Sequence, residues 1–114
     1  MADCLFCSIA KGEIPSKKVY EDDLIYAFYD IDPKAPVHFL VIPKAHIESA
    51  AAITPENSAV VGHAFQVIAR LAKEMGFAHE GYRVVSNVGE QGGQTVFHLH
   101  FHVLAGRDMT WPPG

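Results

Sequence analysis

The chain is 114 residues long, the length of one domain, so we expect residues 1–114 to form a single domain. Its 49% hydrophobic and 19% charged residues argue against the disordered and fibrous classes. Nine basic against thirteen acidic residues give a net charge of −4, which argues against a broad electrostatic surface for nucleic acid, although backbone N–H groups and histidines can still hold a small anion.

Neither export nor membrane insertion is expected. The N-terminal stretch MADCLFCSIAKGEIP has no basic segment followed by a long apolar run. No stretch reaches the roughly 20 apolar residues that a membrane span needs. We therefore expect a cytoplasmic protein with no membrane partner. The two cysteines, Cys4 and Cys7, form a C-x-x-C pair, which in an intracellular chain favours a metal site or a redox pair over a structural disulfide.

The first half of the chain is predicted to contain one short helix or turn and three strands. An acidic turn at residues 21–23 joins the first two strands, and Pro33 and Pro36 interrupt regular structure before the third, which is apolar and β-branched. In chain order these elements are the helix or turn at residues 5–11, ending at Gly12, and strands at residues 17–23, 24–31 and 37–43.

One long helix is the clearest predicted element. Thr54 is expected to cap it, Pro55 suits its first position, and Gly76 is expected to end it. Apolar residues recur at steps of three and four, which predicts one buried face. That face carries Val60, Val61, Ala64, Phe65, Ile68, Leu71, Ala72 and Met75. His63 and His79 are interpreted as an exposed helix position and a loop residue.

Two further strands, at residues 81–89 and 96–106, complete the order strand, strand, strand, helix, strand, strand. This order predicts an α+β fold, an antiparallel sheet with the long helix packed on one face. Alternate side chains of a strand point to opposite faces, so His98, His100 and His102 should share a face that borders a groove. The opposite face, expected beneath the helix, carries Phe97, Leu99, Phe101 and Val103.

Three interpretations of these histidines remain open. They could be ordinary polar residues of a sheet face, two or three of them could ligate zinc, or the middle one could be a nucleophile whose neighbours shuttle protons. The preceding residues 92–95, Gly-Gly-Gln-Thr, favour the third interpretation, because their backbone N–H groups, amide and hydroxyl can converge on an anion. No carboxylate cluster suited to magnesium lies nearby in the sequence. We therefore expect catalysis without a divalent cation.

The stretch GGQTVFHLHFHVL resembles the signature of the histidine triad (HIT) superfamily. EDDLIYAFYDIDPKAPVHFLVIPKAHI is similar to the family's N-terminal half, and GRDMTWPPG to the C-terminus of its Hint branch. The resemblance implies a HIT-like fold, a five-stranded antiparallel sheet that continues across a homodimer. It also implies hydrolysis of purine nucleoside 5′-phosphoramidates such as AMP joined to an amine. A histidine at the end of the triad, where the superfamily's transferases have glutamine, favours hydrolysis.

The resemblance also assigns site residues. The middle histidine, His100, would be the nucleophile and form a covalent nucleotidyl-histidine. His102 and His38 would complete the catalytic group, with His98 beside it. Asp30 matches the carboxylate that grips the ribose hydroxyls. The other positions implied to bind the nucleotide are Asn87, Gly93, Gln94 and Thr95, the last of which is often serine in the family, together with His100 and His102. An apolar pocket for the base would be formed by Phe6, Ile14, Phe28 and Ile31. For these four apolar residues, ordinary core packing is the alternative.

By the same resemblance, Cys4, Cys7, His46 and His98 would form a tetrahedral Cys2His2 zinc site. Such a site would be structural, because four protein ligands leave no position for water; the alternative is a pair of reduced thiols.

Two other functions remain open. One is a Fhit-like dinucleoside polyphosphate hydrolase, against which the WPPG ending argues, and the other is a nucleotide-binding, zinc-containing regulatory module. The expected partners are purine nucleotides and a second copy of the chain.

Overall fold

The computed structural model describes residues 4–114, and they form the predicted α+β fold. Five strands make one antiparallel sheet, and two helices cover its faces. The elements are α1 (Leu5–Ala10), β1 (Lys18–Glu21), β2 (Ile25–Tyr29), β3 (Val37–Pro43), α2 (Ser58–Glu74), β4 (Tyr82–Val85) and β5 (Phe101–Ala105). The strand order is β1-β2-β3-β5-β4, which places β5 at the side of β3. Neither helix of the described residues is long and apolar enough to cross a membrane.

The sheet buries apolar side chains on both faces. Alternation along β2 and β3 sends Ile25 and Phe39 into the core with α2, and Tyr26 and Leu40 into a second cluster with α1. The buried face of α2 consists of Ala64, Val67, Ile68, Leu71 and Ala72. Each fully buried Val, Ile or Leu contributes about 1.5–3 kcal/mol. The two clusters therefore fix both helices on the sheet, and α1 lies on the face that carries the histidines.

The long helix differs from its prediction at its start and confirms it at its end. It begins at Ser58, and the cap predicted at Thr54 is wrong. The side chain of Asn57 accepts from the N–H of Thr54 at 2.7 Å, and the N–H of Asn57 donates to the carbonyl of Thr54 at 3.1 Å, so this stretch is a turn. Gly76, with φ +86°, ends the helix as predicted. Phe65 and Met75 are exposed, and Val67, which the prediction missed, is buried.

The last strand begins at Phe101, five residues later than predicted. Its partner β3 ends at Pro43, which has no N–H to continue the ladder, and the N–H of Leu99 donates instead to the carbonyl of Ile47 at 2.6 Å. Leu99 and Phe101 pack beneath α2 as predicted, but Phe97 does not. It is 51% exposed, so its predicted place under the helix is wrong.

His63 ties α2 to the turn before β2, a contact that its interpretation as an exposed residue missed. Its Nε2 lies 2.6 Å from Oδ2 of Asp22, which also accepts from the hydroxyl of Tyr20 at 2.7 Å. The N–H groups of Leu24 and Ile25 donate to the other carboxylate oxygen, each at 2.8 Å. Burial alone would raise the pKa of Asp22, but these hydrogen bonds hold it well below its usual range.

Replacing Asp22 with alanine is expected to lower the free energy of unfolding by about 1–3 kcal/mol, because four donors lose their acceptor. Urea denaturation monitored by circular dichroism measures the change. Asp23→Ala, at the exposed neighbouring position, is the control and should shift stability by less than about 0.5 kcal/mol. Equal losses in the two variants would contradict this role of Asp22.

Candidate active site

His100 presents one ring nitrogen, Nε2, that has no hydrogen-bond partner among residues 4–114. Its Nδ1 lies 2.7 Å from the carbonyl oxygen of His98. A carbonyl only accepts, so Nδ1 carries the hydrogen, and Nε2 of the neutral ring keeps its lone pair. The ring of Phe6 packs edge-on against the His100 ring, with centroids 5.1 Å apart. The backbone of the triad therefore selects the tautomer, and α1 holds the ring in place.

His38 and His102 form a hydrogen-bonded pair across β3 and β5. The N–H of Lys34 donates to Nδ1 of His38 at 3.0 Å, so the hydrogen of the neutral His38 ring is on Nε2. That nitrogen lies 2.9 Å from Nδ1 of His102 and donates to it. Burial first, and then the rings of His100 and His38, lower the pKa of His102 to about 4. At neutral pH the pair is uncharged, and His102 carries its hydrogen on Nε2.

Asp30 lies beside this pair. Its Oδ2 is 3.4 Å from Nε2 of His38 and 4.0 Å from Nδ1 of His102, while its Oδ1 accepts from the N–H of Asp32 at 2.8 Å. A carboxylate in this position favours a positive charge on either ring. The sequence pattern did not indicate this proximity, because Asp30 follows β2 and reaches the histidines only through the pairing of β2 with β3.

His100 and His102 line the central one of three clefts that share lining residues. This central cleft, about 290 Å³, is lined by His100, His102 and Asp30 together with Thr95 and apolar side chains. Its remaining lining residues are Leu5, Phe6, Ile9, Phe28, Ile31, Leu40 and Val96. The side chain of Ile31 is fully exposed, so core packing does not explain it. Phe6 and Phe28 are buried and line the cleft, and Ile14 lines none of the three clefts.

Two further clefts adjoin the central one through shared lining residues. The proline cleft, about 770 Å³, is lined by Ile9, Pro15, Ser16, Lys17, Phe28, Tyr29, Asp30, Ile31, Pro33, Pro36 and His38. The Glu48 cleft, about 690 Å³, is lined by Cys4, Leu5, His46, Glu48, Thr95, Val96 and Phe97. The central and proline clefts share Asp30, and the central and Glu48 clefts share Thr95. The space available to a ligand therefore extends beyond the central cleft into two others.

The glycine loop before the triad is held by its own hydrogen bonds. Gly93 and Gln94 donate their N–H groups to the carbonyls of Glu90 and Gly89, both at 3.0 Å. The Gln94 amide accepts from the N–H of Gly89 at 3.0 Å and donates to the carbonyl of Glu48 at 2.8 Å. These groups have partners inside the protein, and their role as phosphate donors stays a prediction. Thr95 lines the central cleft, whereas the half-buried Asn87 lines none of the three clefts.

Four potential metal ligands meet at the N-terminus of α1. Nε2 of His98 donates to the carbonyl of Pro43 at 2.8 Å, which leaves Nδ1 of His98 without a hydrogen. This Nδ1 lies 3.3 Å from Sγ of Cys4, 3.5 Å from Sγ of Cys7 and 3.3 Å from Nδ1 of His46. All four ligand atoms lie within 4.8 Å of one another.

These spacings fit a tetrahedral zinc ion. Bonds of about 2.3 Å to sulfur and about 2.05 Å to nitrogen imply edges of about 3.3 Å between two nitrogens and about 3.5 Å between sulfur and nitrogen. The observed nitrogen–nitrogen distance is 3.3 Å, and Sγ of Cys7 lies 3.5 Å from Nδ1 of His46. The ring of His98 is fully buried and lines none of the three clefts, so only its carbonyl serves His100. Its predicted place among the catalytic rings does not agree with this position.

The lowered pKa of His102 predicts a loss of stability in acid. With a folded pKa of about 4 against about 6.5 for the unfolded chain, the folded state binds fewer protons between these values. The stabilising contribution is complete above pH 6.5 and is lost as the pH falls toward 4. Burial lowers the pKa of His38 in the same direction. We expect the free energy of unfolding to fall by about 2 kcal/mol more in the wild type than in His102→Gln between pH 7 and pH 4.5. Parallel pH profiles would contradict this.

The chain matches a family model described as the HIT domain over residues 11–109. It is 41% identical over 107 residues to the purine nucleoside phosphoramidase of Escherichia coli K12, covering 94% of this chain and 90% of that protein. It is 50% identical over 112 residues to an uncharacterized HIT-like protein of Synechococcus elongatus, covering 98% and 97%. A histidine triad protein from Clostridium difficile superposes with a TM-score of 0.94 at 51% identity, covering 96% of each chain. A HIT family hydrolase from Legionella pneumophila gives a TM-score of 0.96 at 48% identity, covering 98% of this chain and 100% of that one.

Proposed function

This chain belongs to the HIT domain family, and we propose that it hydrolyses the phosphorus–nitrogen bond of purine nucleoside 5′-phosphoramidates of the AMP-amine type. The observation that carries the proposal is the lone pair on Nε2 of His100, fixed by the His98 carbonyl in the wall of the central cleft. The relative named purine nucleoside phosphoramidase supports the choice of substrate class.

In the first step, Nε2 of His100 attacks the α-phosphorus, and the bond between phosphorus and the amine nitrogen breaks. The phosphate anion beside His102 raises the pKa of that ring, which takes up a proton on Nδ1. The Nε2–H of His38 then donates to Oδ2 of Asp30, 3.4 Å away, and the same carboxylate favours the His102 cation. The His102 imidazolium then gives the proton on Nε2 to the departing amine. His100 carries the nucleotidyl group as a cation, and its Nδ1–H remains bonded to the carbonyl of His98.

In the second step, water replaces His100 at phosphorus. The neutral His102 left by the first step accepts a proton from the water through Nε2, and the hydroxide attacks. The bond between phosphorus and Nε2 of His100 breaks, the ring becomes neutral, and AMP leaves. One histidine thus acts first as an acid and then as a base, and Asp30 is placed beside its cationic form in both steps.

Parallel turnover of two substrates tests the reaction class. AMP joined to an amine is expected to give a kcat/KM at least about 10-fold higher than diadenosine triphosphate, because protonation of the leaving nitrogen matches the role of His102. A preference for diadenosine triphosphate would indicate the Fhit-like activity and would contradict the proposal.

We propose that Zn²⁺ is the ion held by Cys4, Cys7, His46 and His98, because the observed spacings match its bond lengths. Four protein ligands fill a tetrahedral ion, so it would supply no Lewis-acid chemistry and would act as a cross-link. Cys4 and Cys7 lie at the start of α1, and His98 lies two residues before the nucleophile. The ion would therefore fasten α1, with Phe6, onto the chain that carries His100.

We also propose that two copies of the chain form a homodimer with a continuous sheet. β4 is the last strand of the described sheet, and an unpaired edge is a natural place for a second strand to add. Trp111, near the C-terminus, is 81% exposed, as expected of a side chain that packs on a partner. Light scattering at micromolar concentration should give twice the monomer mass, and a monomer would contradict the proposal.

A further inference from the structure

The central cleft adjoins the other two clefts. It shares Ile9, Phe28, Asp30 and Ile31 with the proline cleft and shares Leu5, Thr95 and Val96 with the Glu48 cleft. The proline and Glu48 clefts have no lining residue in common. The cleft that His100 lines therefore adjoins two separate spaces, and a ligand bound in it can extend into both.

Given the proposed function, the two clefts that adjoin the central one give the bound substrate an orientation. With the ribose at Asp30 and phosphorus at His100, the nucleoside occupies the side of the proline cleft. In an in-line displacement the leaving group lies opposite the attacking nitrogen, and the ribose oxygen lies in the plane between them, so the amine and the ribose extend from phosphorus in different directions. Thr95 borders both the central cleft and the Glu48 cleft. The Glu48 cleft is therefore the connected space in which the substituent of the departing amine can lie.

The lining of the Glu48 cleft combines apolar surface with one carboxylate. Leu5 and Phe97 are 45% and 51% exposed, so each leaves a large apolar surface uncovered in the described structure. Glu48 is exposed, and within residues 4–114 its carboxylate is not part of any ion pair within 4.0 Å. The carbonyl of Glu48 accepts from the Gln94 amide at 2.8 Å, which fixes this residue to the loop that borders the reactive histidine.

We propose that the Glu48 cleft binds the leaving amine and selects amines whose nitrogen carries an apolar stem ending in a positive charge. Leu5 and Phe97 would contact the stem, and Glu48 would attract the charged end. Glu48 and Phe97 are then specificity-determining residues of the proposed phosphoramidase reaction. This inference rests on that reaction, because a different reaction would leave no amine to bind.

Two substrates of equal stem length test the carboxylate: AMP joined to butylamine and AMP joined to putrescine, whose far end is a protonated amine. The wild type should hydrolyse the putrescine adduct with a kcat/KM about threefold higher at low salt, the size expected for an exposed ion pair. Glu48→Gln should lower this ratio to about one, and salt should lower it in the wild type. Glu56→Gln, at an exposed position outside the three clefts, is the matched control and should keep the wild-type ratio.

The apolar contact is tested with AMP joined to ammonia, which has no stem. Phe97→Ala should lower the kcat/KM ratio of the butylamine adduct to the ammonia adduct by about fivefold, because the stem loses its aromatic contact. Unchanged ratios in both Glu48→Gln and Phe97→Ala would overturn this inference while the reaction itself stands. Failure of the wild type to hydrolyse any of the three adducts would overturn the proposed function, and this inference with it.

Discussion

Replacing His100 with alanine is expected to lower the turnover of an AMP-amine by about 10⁴-fold or more, because the first covalent step loses its nucleophile. Nε2 of His100, on a ring that lines the central cleft, has no hydrogen-bond partner in the described part of the chain, and the carbonyl of His98 sets the tautomer of that ring. Binding of AMP should be largely retained, because Asp30, Thr95 and the apolar wall of the cleft remain. Single-turnover kinetics and calorimetric titration with AMP measure the two effects.

Two further histidine variants show whether this loss is specific. His102→Ala should lower turnover less, by about 10²–10³-fold, because that ring assists proton transfer and forms no bond to phosphorus. His79→Ala, at an exposed loop position, should match the wild type. Wild-type turnover in His100→Ala would remove the nucleophile from the mechanism. Equal losses in His100→Ala and His79→Ala would point to unfolding.

Loss of the metal is expected to cause the largest change in thermal stability. Protein purified without a metal-binding tag should contain about one zinc per chain, and removal by a chelator should lower the Tm by about 10 °C or more. The physical reason is that Cys4, the N-cap of α1, and Cys7, within α1, lose their connection to His46 and His98, which lie far along the chain. Differential scanning calorimetry and elemental analysis provide the two measurements.

Cys7→Ala should reproduce the effect of the chelator, because the thiol of this buried residue is one of the four proposed ligands. Its chelator-dependent shift in Tm should therefore disappear. Ser8→Ala, at the neighbouring position of α1, is the control and should retain both the zinc and the shift. The zinc proposal would be contradicted if the wild type contained no zinc after growth with ample metal and its Tm did not change on addition of the chelator.

Local patterns predicted the elements of the fold well where neighbours along the chain determine the structure. The three- and four-residue repeat of α2 and the stop at Gly76 both depend on local geometry. The start of that helix was mispredicted, because Asn57 bonds back to Thr54 and closes a turn that competes with the expected cap. The contact between His63 and Asp22 joins positions 41 residues apart, and no local pattern carries it.

The candidate site could be predicted only in part from the residue types in the sequence. Alternation and family resemblance identified the histidines, and the structure brings His38 to His102 and gathers the four potential metal ligands. The tautomers depend instead on backbone groups, the carbonyl of His98 and the N–H of Lys34, which leave no signal in a pattern of side chains. The Glu48 cleft was missed because Phe97 was expected to be buried, and its exposure follows from the end of the β-ladder at Pro43.

The most direct measurement is to quench the reaction with an AMP-amine in its first turnovers and locate the attached nucleotide by peptide mass spectrometry. The nucleophile assigned to His100 predicts AMP linked to the peptide that contains residues 98–102, at His100, and no such adduct in His100→Ala. AMP attached to another residue, or hydrolysis with no covalent adduct under conditions that trap phosphohistidine, would contradict it.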